Sequence, residues 1–599
     1  MSTAQEKKAP REHRLTLPEV LDALAADGMI DADEAEAFKK ERRYFRGDVH
    51  PLVVVAEQKF KSRQPPHKVL TLEALTEWLA RHAGMDYLHI DPLKIDFSAV
   101  TEVMSNAYAA RFRILPVGVT AREVVIATAE PYLREWEKEL RPILRKDIKP
   151  VIANPEDISR YLVEFYNLAR SVKKAAQAGE TAGSGLSNFE QLVELGKTNR
   201  QFDANDQHIV RIVDWLWQYA FDQRASDIHI EPRRELGLVR FRIDGVLHQV
   251  YQIPMPVMNA MTSRIKILGR MDVVEKRRPQ DGRIKTRTPG GQEVELRLST
   301  LPTAFGEKLV MRIFDPEVLV RDFAELGFTA EDNGRWQAMT SRPDGIILVT
   351  GPTGSGKTTT LYSTLKQLAT PEVNVCTIED PIEMIEPSFN QVQVQHAIDM
   401  GFAEGVRALM RQDPDIIMVG EIRDLETADM AIQAALTGHL VLSTLHTNDA
   451  PSAITRLLDL GAPAYLLNAT ILGVMAQRLV RTLCPHCKKA GGMRAEDEEL
   501  WQELVHPWKA AKPATLYFPQ GCLECRMTGY LGRVGLYEIM LMSPELRKLV
   551  TKETDVARLR EQAYREGMKP LRISGAMKVA QGITTMEEVL KVAPPAQEA

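Results

Sequence analysis

Cysteine is scarce. Five residues in a chain of 599 are too few for the disulfide framework of a secreted protein. Long apolar runs are missing as well. No stretch approaches the ~18 residues that a membrane-spanning helix needs. The opening residues, MSTAQEKKAPREHR, lack the apolar core of a signal peptide. These absences predict a protein that stays in the cytosol and meets a membrane only through a partner or an amphipathic surface. A dominant charge is missing too. The formal net charge is −5 at pH 7, so no whole-surface field attracts nucleic acid, and DNA binding would need a local basic patch. What remains is an ordinary globular composition, 44% hydrophobic and 26% charged, in a chain long enough for several domains.

The pattern divides into three parts. Residues 1–170 read as a small, mainly helical N-terminal domain. LPEVLDALAADG places Val20, Leu21 and Leu24 at helical spacing, with Gly28 as its stop. Asp31 caps a second helix, and VLTLEALTEWLARHAG at 69–84 echoes the first. RFRILPVGVTAREVVIATAEP (111–131) reads as two strands and a turn, followed by helix to about 170. AAQAGETAGSGLS marks a flexible linker over 171–200. In 201–320, DIHIEP, LVRFRIDGVL and EVELRLSTLP alternate as half-exposed strands, with a turn at Asp244-Gly245. From 325 to 592 strands alternate with helices, which predicts a parallel α/β sheet. The chain then runs helical from 543, with a capping box expected at Thr584–Glu587 and a loose tail at 593–599.

GIILVTGPTGSGKTTTLYSTL (345–365) carries G-x-x-x-x-G-K-T between an apolar strand and a helix, the context this phosphate-binding motif requires. Gly351, Gly354 and Gly356 let the backbone curl, so that several N–H groups of the phosphate-binding loop (Gly351, Pro352, Thr353, Gly354, Ser355, Gly356, Lys357, Thr358 and Thr359, of which Pro352 has none to give) face phosphate oxygens. Lys357 reaches the β- and γ-phosphates of ATP, and the Thr358 hydroxyl binds Mg²⁺. RQDPDIIMVGEIRD (411–424) holds a second buried strand, Ile416–Val419, ending in Gly420-Glu421. Many nucleotide hydrolases have Asp where Gly420 stands. EDPIE (379–383) follows another strand and brings Glu379 and Asp380 to the same sheet edge. Glu379 and Glu421 are therefore expected to share the work of holding the metal and polarising water, in an order the sequence leaves open. His446 ends a strand in TGHLVLSTLHTND and is read either as a γ-phosphate sensor or as a structural histidine.

Four of the five cysteines form Cys484-Pro-His-Cys487 and Cys522-Leu-Glu-Cys525. Two C-x₂-C turns supply four thiolates, a closed tetrahedral set that predicts structural Zn²⁺ over a redox dithiol. Cys376 lies on an apolar strand and is expected in the core. Arg240 and Arg242 share one strand face, and EKRRPQDGR adds Arg278. Three readings fit these arginines: a solvated face, charge donated to a nucleotide across a subunit interface, or a nucleic-acid groove. Interleaved acids weaken the last.

Taken together, ASDIHIEP, RRPQDGRI, TLPTAFGEKLVMRI, VTGPTGSGKTTTLY, IEDPIE, RQDPDIIMVGEIRDLETA, TGHLVLSTLHTN, the paired C-x₂-C and GYLGRVGLYEIM closely resemble the type II secretion and type IV pilus assembly ATPases over roughly residues 200–592. The resemblance implies a RecA-like P-loop ATPase domain behind a PAS-like α+β domain, the zinc subdomain (484–525) as an insertion, and a hexameric ring. It implies nucleotide between the two domains, with PAS-like arginines completing the site. The ring would be peripheral at the cytoplasmic face of the inner membrane, docked on a platform protein and adding pilin-like subunits, with no nucleic acid expected. By motif, Lys357 and Thr358 are Walker A, 379–383 the Asp box, Glu421 the Walker B glutamate and His446 part of the His box; Gly-Glu is the usual Walker B ending in this family. Retraction ATPases of the group lack the long N-terminal region and the cysteine pairs, so the chain reads as an assembly motor. LGVMAQRLVRTLCPHC leans slightly toward the secretion members. Some members bind cyclic di-GMP through a motif opening Arg-Leu-Gly; Arg14-Leu15-Thr16 lacks that glycine, and cyclic di-GMP is not expected. The competing functions are a DNA-uptake or DNA-translocating ATPase and an ATP-binding switch that does not cycle.

Overall fold

The computed structural model describes residues 12–40, 49–64, 67–90, 95, 97–177, 203–288, 291–314 and 321–593. Most of the expected linker and all but one residue of the expected tail lie outside this set. The chain forms two compact units, residues 1–284 with 297–312, and 285–296 with 313–599. Among the described residues no helix is long and apolar enough to cross a membrane.

The first unit opens with helices Leu17–Ala26, Ala32–Lys39, Pro51–Glu57 and Leu72–Ala83. Thr16 and Glu19 form a reciprocal capping box that starts the first. Leu21, Leu24, Leu52, Val55, Leu75 and Leu79 bury their apolar stripes in one core. β1 (Ile114–Val119) and β2 (Glu123–Thr128) appear as expected. A third strand, β3 (Asp147–Ile152), pairs with β2 where continuous helix was expected. Helix Pro155–Gln177 follows, and its Glu164 Oε2 accepts a 2.8 Å hydrogen bond from the Tyr219 hydroxyl of helix Gln207–Asp222.

β4 (Asp227–Pro232), β5 (Leu236–Ile243), β6 (Val246–Pro254), β7 (Gln280–Arg287), β8 (Glu293–Thr303) and β9 (Gly306–Phe314) make a six-stranded sheet in the order β6-β5-β4-β9-β8-β7, which fits the α+β expectation. Asp244 and Gly245, at φ 49° and 86°, make the predicted hairpin turn. β4 departs from its expected half-exposure, because Asp227, His229 and Glu231 are buried too.

In the second unit, β10 (Gly345–Thr350), β11 (Val375–Glu379), β12 (Asn390–Gln393), β13 (Ile416–Val419), β14 (Leu440–Leu445), β15 (Ile471–Leu483) and β18 (Tyr530–Leu541) form one sheet in the order β12-β11-β13-β14-β10-β15-β18. Every pairing is parallel except β15 with β18. The phosphate-loop strand β10 is the fifth of the six parallel strands, between β14 and β15, the order of a RecA-like core. Both sheet faces are covered, so the inner strands are buried throughout and largely apolar. The cysteine-bearing segment is an insertion between β15 and β18 and contains the short pair β16 (Lys489–Gly491) and β17 (Leu516–Phe518). Four helices between Pro544 and Val592 close the unit. The last is capped by Thr585, one residue after the expected Thr584.

Candidate active site

β10 is fully buried at the middle of its sheet, so the chain must leave it at Gly351 and turn directly into helix Lys357–Leu368. Gly351, Gly354 and Gly356 adopt φ of 152°, 78° and 87°, values that favour glycine. Two of them also lack room. A Cβ at Gly351 would lie 2.5 Å from the Gln477 carbonyl oxygen, and one at Gly356 2.8 Å from the Gln477 amide nitrogen. No side chain caps the helix at Gly356, which leaves its first-turn N–H groups and its positive end to whatever the loop holds. Ser355 Oγ is buried without a partner. Lys357 Nζ folds back to the Gly351 and Pro352 carbonyls, at 2.8 and 3.2 Å. Burial lowers its pKa, while the Glu421 and Glu383 carboxylates act in the opposite sense. Thr358 and Thr359 are half-buried beside it. An uncapped helix start, an orphaned buried hydroxyl and a lysine are the donor set of a polyphosphate site.

Glu421, just past β13, pairs with the Arg423 guanidinium and lies 3.2 Å from His446 Nε2. The arginine and the half-exposed histidine thus face one carboxylate. Glu379, at the end of β11, is placed differently. Its side chain is buried, accepting from the Tyr362 hydroxyl at 2.6 Å, from Thr377 Oγ1 at 2.6 Å and from Gln391 Nε2 at 3.2 Å. Burial and the Glu379 carboxylate push the Tyr362 pKa up, so its hydroxyl stays a donor. Both Glu379 oxygens are therefore engaged. Gly420 is packed: its N–H donates to the Ile378 carbonyl at 2.8 Å, and a Cβ there would lie 3.3 Å from both that oxygen and the Phe402 ring.

The middle arginines do share a face, opposite the buried Val239, Phe241 and Ile243. They are not simply solvated. Arg240 Nη2 donates to Glu231 at 2.6 Å, and Arg242 lies 3.7 Å from Asp227 and donates to the Gly245 carbonyl at 2.9 Å. Burial alone would raise Glu231, but hydrogen bonds from Arg240 and Lys308 outweigh it and hold the carboxyl at about 2. Arg278 is exposed in the loop before β7.

The four cysteines converge. Cys484–Cys522 and Cys487–Cys525 sulfurs are 3.8 Å apart, and Cys522–Cys525 are 3.7 Å apart. Backbone N–H groups of Gly521, Cys522 and Gly529 point at the sulfurs at 3.1–3.3 Å. These separations match the edge of a tetrahedron with metal–sulfur bonds of ~2.3 Å. Cys376 is buried in the core.

Sequence reasoning missed Tyr362, Arg423 and Arg478. Tyr362 sits five residues after Lys357, a spacing readable as core packing. Arg423 lies beside Glu421 in sequence and could have been found there. Arg478 is buried next to the phosphate loop, donating to the Gln477 and Asn448 carbonyls at 3.0 and 2.8 Å. Only the sheet pairing places it there.

A phosphate loop leaving an inner strand of a RecA-like sheet, with Glu421 past the end of a parallel strand two places away, defines a P-loop ATPase. The family model for the type II/IV secretion system protein matches residues 203–591, and that for the MshEN domain matches 83–172. The chain is 55% identical over 578 residues to the type IV pilus assembly ATPase TfpB of Acinetobacter baylyi, covering 96% of this chain and 98% of that one. It is 40% identical to the type II secretion system ATPase E of Vibrio cholerae, over 81% of this chain and 95% of that one. Among solved structures, the pilus retraction motor PilT with bound ADP is 25% identical over 65% of this chain and 97% of that one, with a TM-score of 0.46. The chain belongs to the type II/IV secretion system ATPase family. It is an ATP-hydrolysing motor for pilus or pseudopilus assembly.

Proposed function

We propose that the chain drives extension of a type IV pilus, acting as a hexameric ring at the cytoplasmic face of the inner membrane on a platform protein. The observation that supports pilus over secretion service is the 55% identity to a pilus assembly ATPase along almost the full length of both chains; the secretion ATPase of Vibrio cholerae is 40% identical. This outweighs the slight secretion-like character of 472–487.

In this reading the loop 351–359 binds the ATP phosphates, Lys357 neutralises the β- and γ-phosphates, and Thr358 holds Mg²⁺, which supplies charge neutralisation on the transferring phosphoryl. Glu421 places and polarises the attacking water. Its coupling to Lys357 and its contact with His446 support that role. His446 reports loss of the γ-phosphate. Glu379 fixes the 379–384 turn through Tyr362, because both its oxygens are already engaged. Arg240, Arg242 and Arg278 offer charge to a neighbouring subunit's nucleotide, and Arg240 would exchange Glu231 for phosphate. Cys484, Cys487, Cys522 and Cys525 hold structural Zn²⁺ that stiffens the insertion.

A clean deletion strain, assayed in parallel for surface pili and for exported enzymes, tests the assignment. Loss of pili with normal export is expected. Lost export with intact pili would instead make this the secretion motor.

A further inference from the structure

We propose that Glu538 is a positioning residue of the hydrolysis reaction, holding segment 446–450 so that His446 stays on Glu421. This rests on the reading of Glu421 and His446 as the working pair. The segment follows β14 and is fixed residue by residue. Thr447 N–H donates to Thr350 Oγ1 at 2.8 Å, and the two threonine hydroxyls lie 2.7 Å apart, at the end of the phosphate-loop strand. Arg478 of β15 donates to the Asn448 carbonyl at 2.8 Å. Arg560, on helix Val556–Arg565, pairs with Asp449 at 2.8 Å. Ala450 N–H donates to Glu538 Oε1 at 2.9 Å.

Glu538 is a carboxyl in a strand interior, 3% exposed, opposite Ala476 in the β15–β18 register. No catalytic role uses it, and a buried acid there is costly unless it does something. It closes the far end of the segment whose near end is His446. The same contacts join the segment to helix Val556–Arg565, so a shift of His446 on phosphate loss has a direct path to the C-terminal helices. Asp449 from the segment, Arg560 and Tyr564 from the helix, and Arg478 from β15 are the charged and titratable groups that face it. Burial, aided by the Asp449 carboxylate, pushes Glu538 up to about 7. Glu538 therefore changes charge in the neutral range, with burial favouring the neutral acid and the Ala450 and Leu571 N–H groups and Arg560 favouring the ionised one. Its ionisation sets two carboxylates against each other and loosens the turn.

The test is steady-state ATPase kinetics of the full chain between pH ~6 and ~9 for wild type, Glu538→Gln, Glu538→Ala and Glu421→Gln. Wild-type kcat is expected to fall as pH rises through the Glu538 range, with KM unchanged. Glu538→Gln keeps an acceptor for Ala450 N–H but cannot ionise, so it loses that falling limb. Glu538→Ala loses the contact and about tenfold in kcat at constant KM, the size of one buried hydrogen bond. A Glu538→Gln profile that still falls with the wild-type midpoint overturns the inference, as does wild-type turnover in Glu538→Ala. If Glu421→Gln itself turns over, the reading of the reacting pair fails instead, and the two failures are told apart. Should Glu538→Ala not fold, the Gln profile decides alone.

Discussion

Removing the metal from the tetracysteine site should destabilise the ATPase unit by a readable amount. The sulfur separations of 3.7–3.8 Å are too long for a disulfide, which needs ~2.05 Å, and match the ~3.8 Å edge of a zinc tetrathiolate. The site does more than close its own loop. Cys484 N–H donates to the Gly529 carbonyl at 2.9 Å, Leu483 N–H to the Ile583 carbonyl at 2.7 Å and Lys488 Nζ to the Gly582 carbonyl at 2.7 Å. A metal held by these four thiolates would therefore pin the outer ends of β15 and β18 and the turn before the last helix. Structural zinc is worth ~10–16 kcal/mol at neutral pH in small domains. Losing one of four ligands then costs roughly a quarter, ~3–4 kcal/mol. At ~2–4 °C per kcal/mol for a unit of this size, melting falls by about 10 °C. The assay is metal content of the purified chain together with melting of wild type, of chelator-treated protein and of Cys522→Ser. One zinc per chain is expected, with chelation and mutation both lowering melting and chelation lowering it more. Affinity should weaken in acid, because each thiolate must be deprotonated to bind. A metal-free chain whose melting ignores both chelator and mutation would refute the zinc reading.

Glu421→Gln should retain nucleotide binding and lose hydrolysis, as measured by ADP titration beside steady-state turnover; a variant keeping most of its turnover removes Glu421 from the mechanism. Tyr362→Phe deletes a 2.6 Å donor to buried Glu379, a bond to a charged group worth ~1.5–3 kcal/mol. Turnover should drop at least about tenfold with ADP affinity nearly unchanged, and equal turnover would show that Glu379 needs no anchor. Arg240→Ala removes the closest partner of Glu231. A carboxyl held at about 2 against the ordinary glutamate value of 4.5 contributes stability above pH ~4.5 that is lost as pH falls toward 2. The variant should therefore begin acid unfolding at higher pH, followed by circular dichroism; an unchanged acid midpoint would mean that Lys308 and Arg233 suffice.

What the sequence made legible was local chemistry. The glycine spacing of the phosphate loop and the two C-x₂-C turns act within a few residues, so their geometry follows from their order. Contacts between distant elements were not legible. β3 was hidden because DIKPVI contains Pro150; β2 is its partner in a three-stranded sheet, and an edge strand tolerates proline. In GITTMEE the spacing fits Thr584–Glu587 and Thr585–Glu588 equally, and the fold chose Thr585 because Glu588 is drawn inward to Arg481 at 2.6 Å. β4 reads as half-exposed until Arg240 and Arg242 from β5 and Lys308 and Arg312 from β9 neutralise its acids. Tyr362 with Glu379, and Glu538 with Ala450, meet only after the sheet has assembled.

Gly420 shows how packing sets chemistry. β13 lies between β11 and β14, and its last backbone N–H group ties to the Ile378 carbonyl. A Cβ at 420 would press on that oxygen and on Phe402 at 3.3 Å each, tighter than ordinary van der Waals contact. An aspartate there would need the β11 end or the helix Phe402–Leu409 to move, and β11 is the strand that presents Glu379. The glycine and the acids after β11 are thus one arrangement. Close approach of the two strand ends excludes a side chain at 420, brings the 379–383 turn to the edge where Lys357 lies, and leaves Glu421 as the first residue of β13's exit with room to face the loop. What Gly420 leaves out is a carboxylate at the end of β13; the acids of this edge stand instead on the turn after β11 and at Glu421, 3.2 Å from His446.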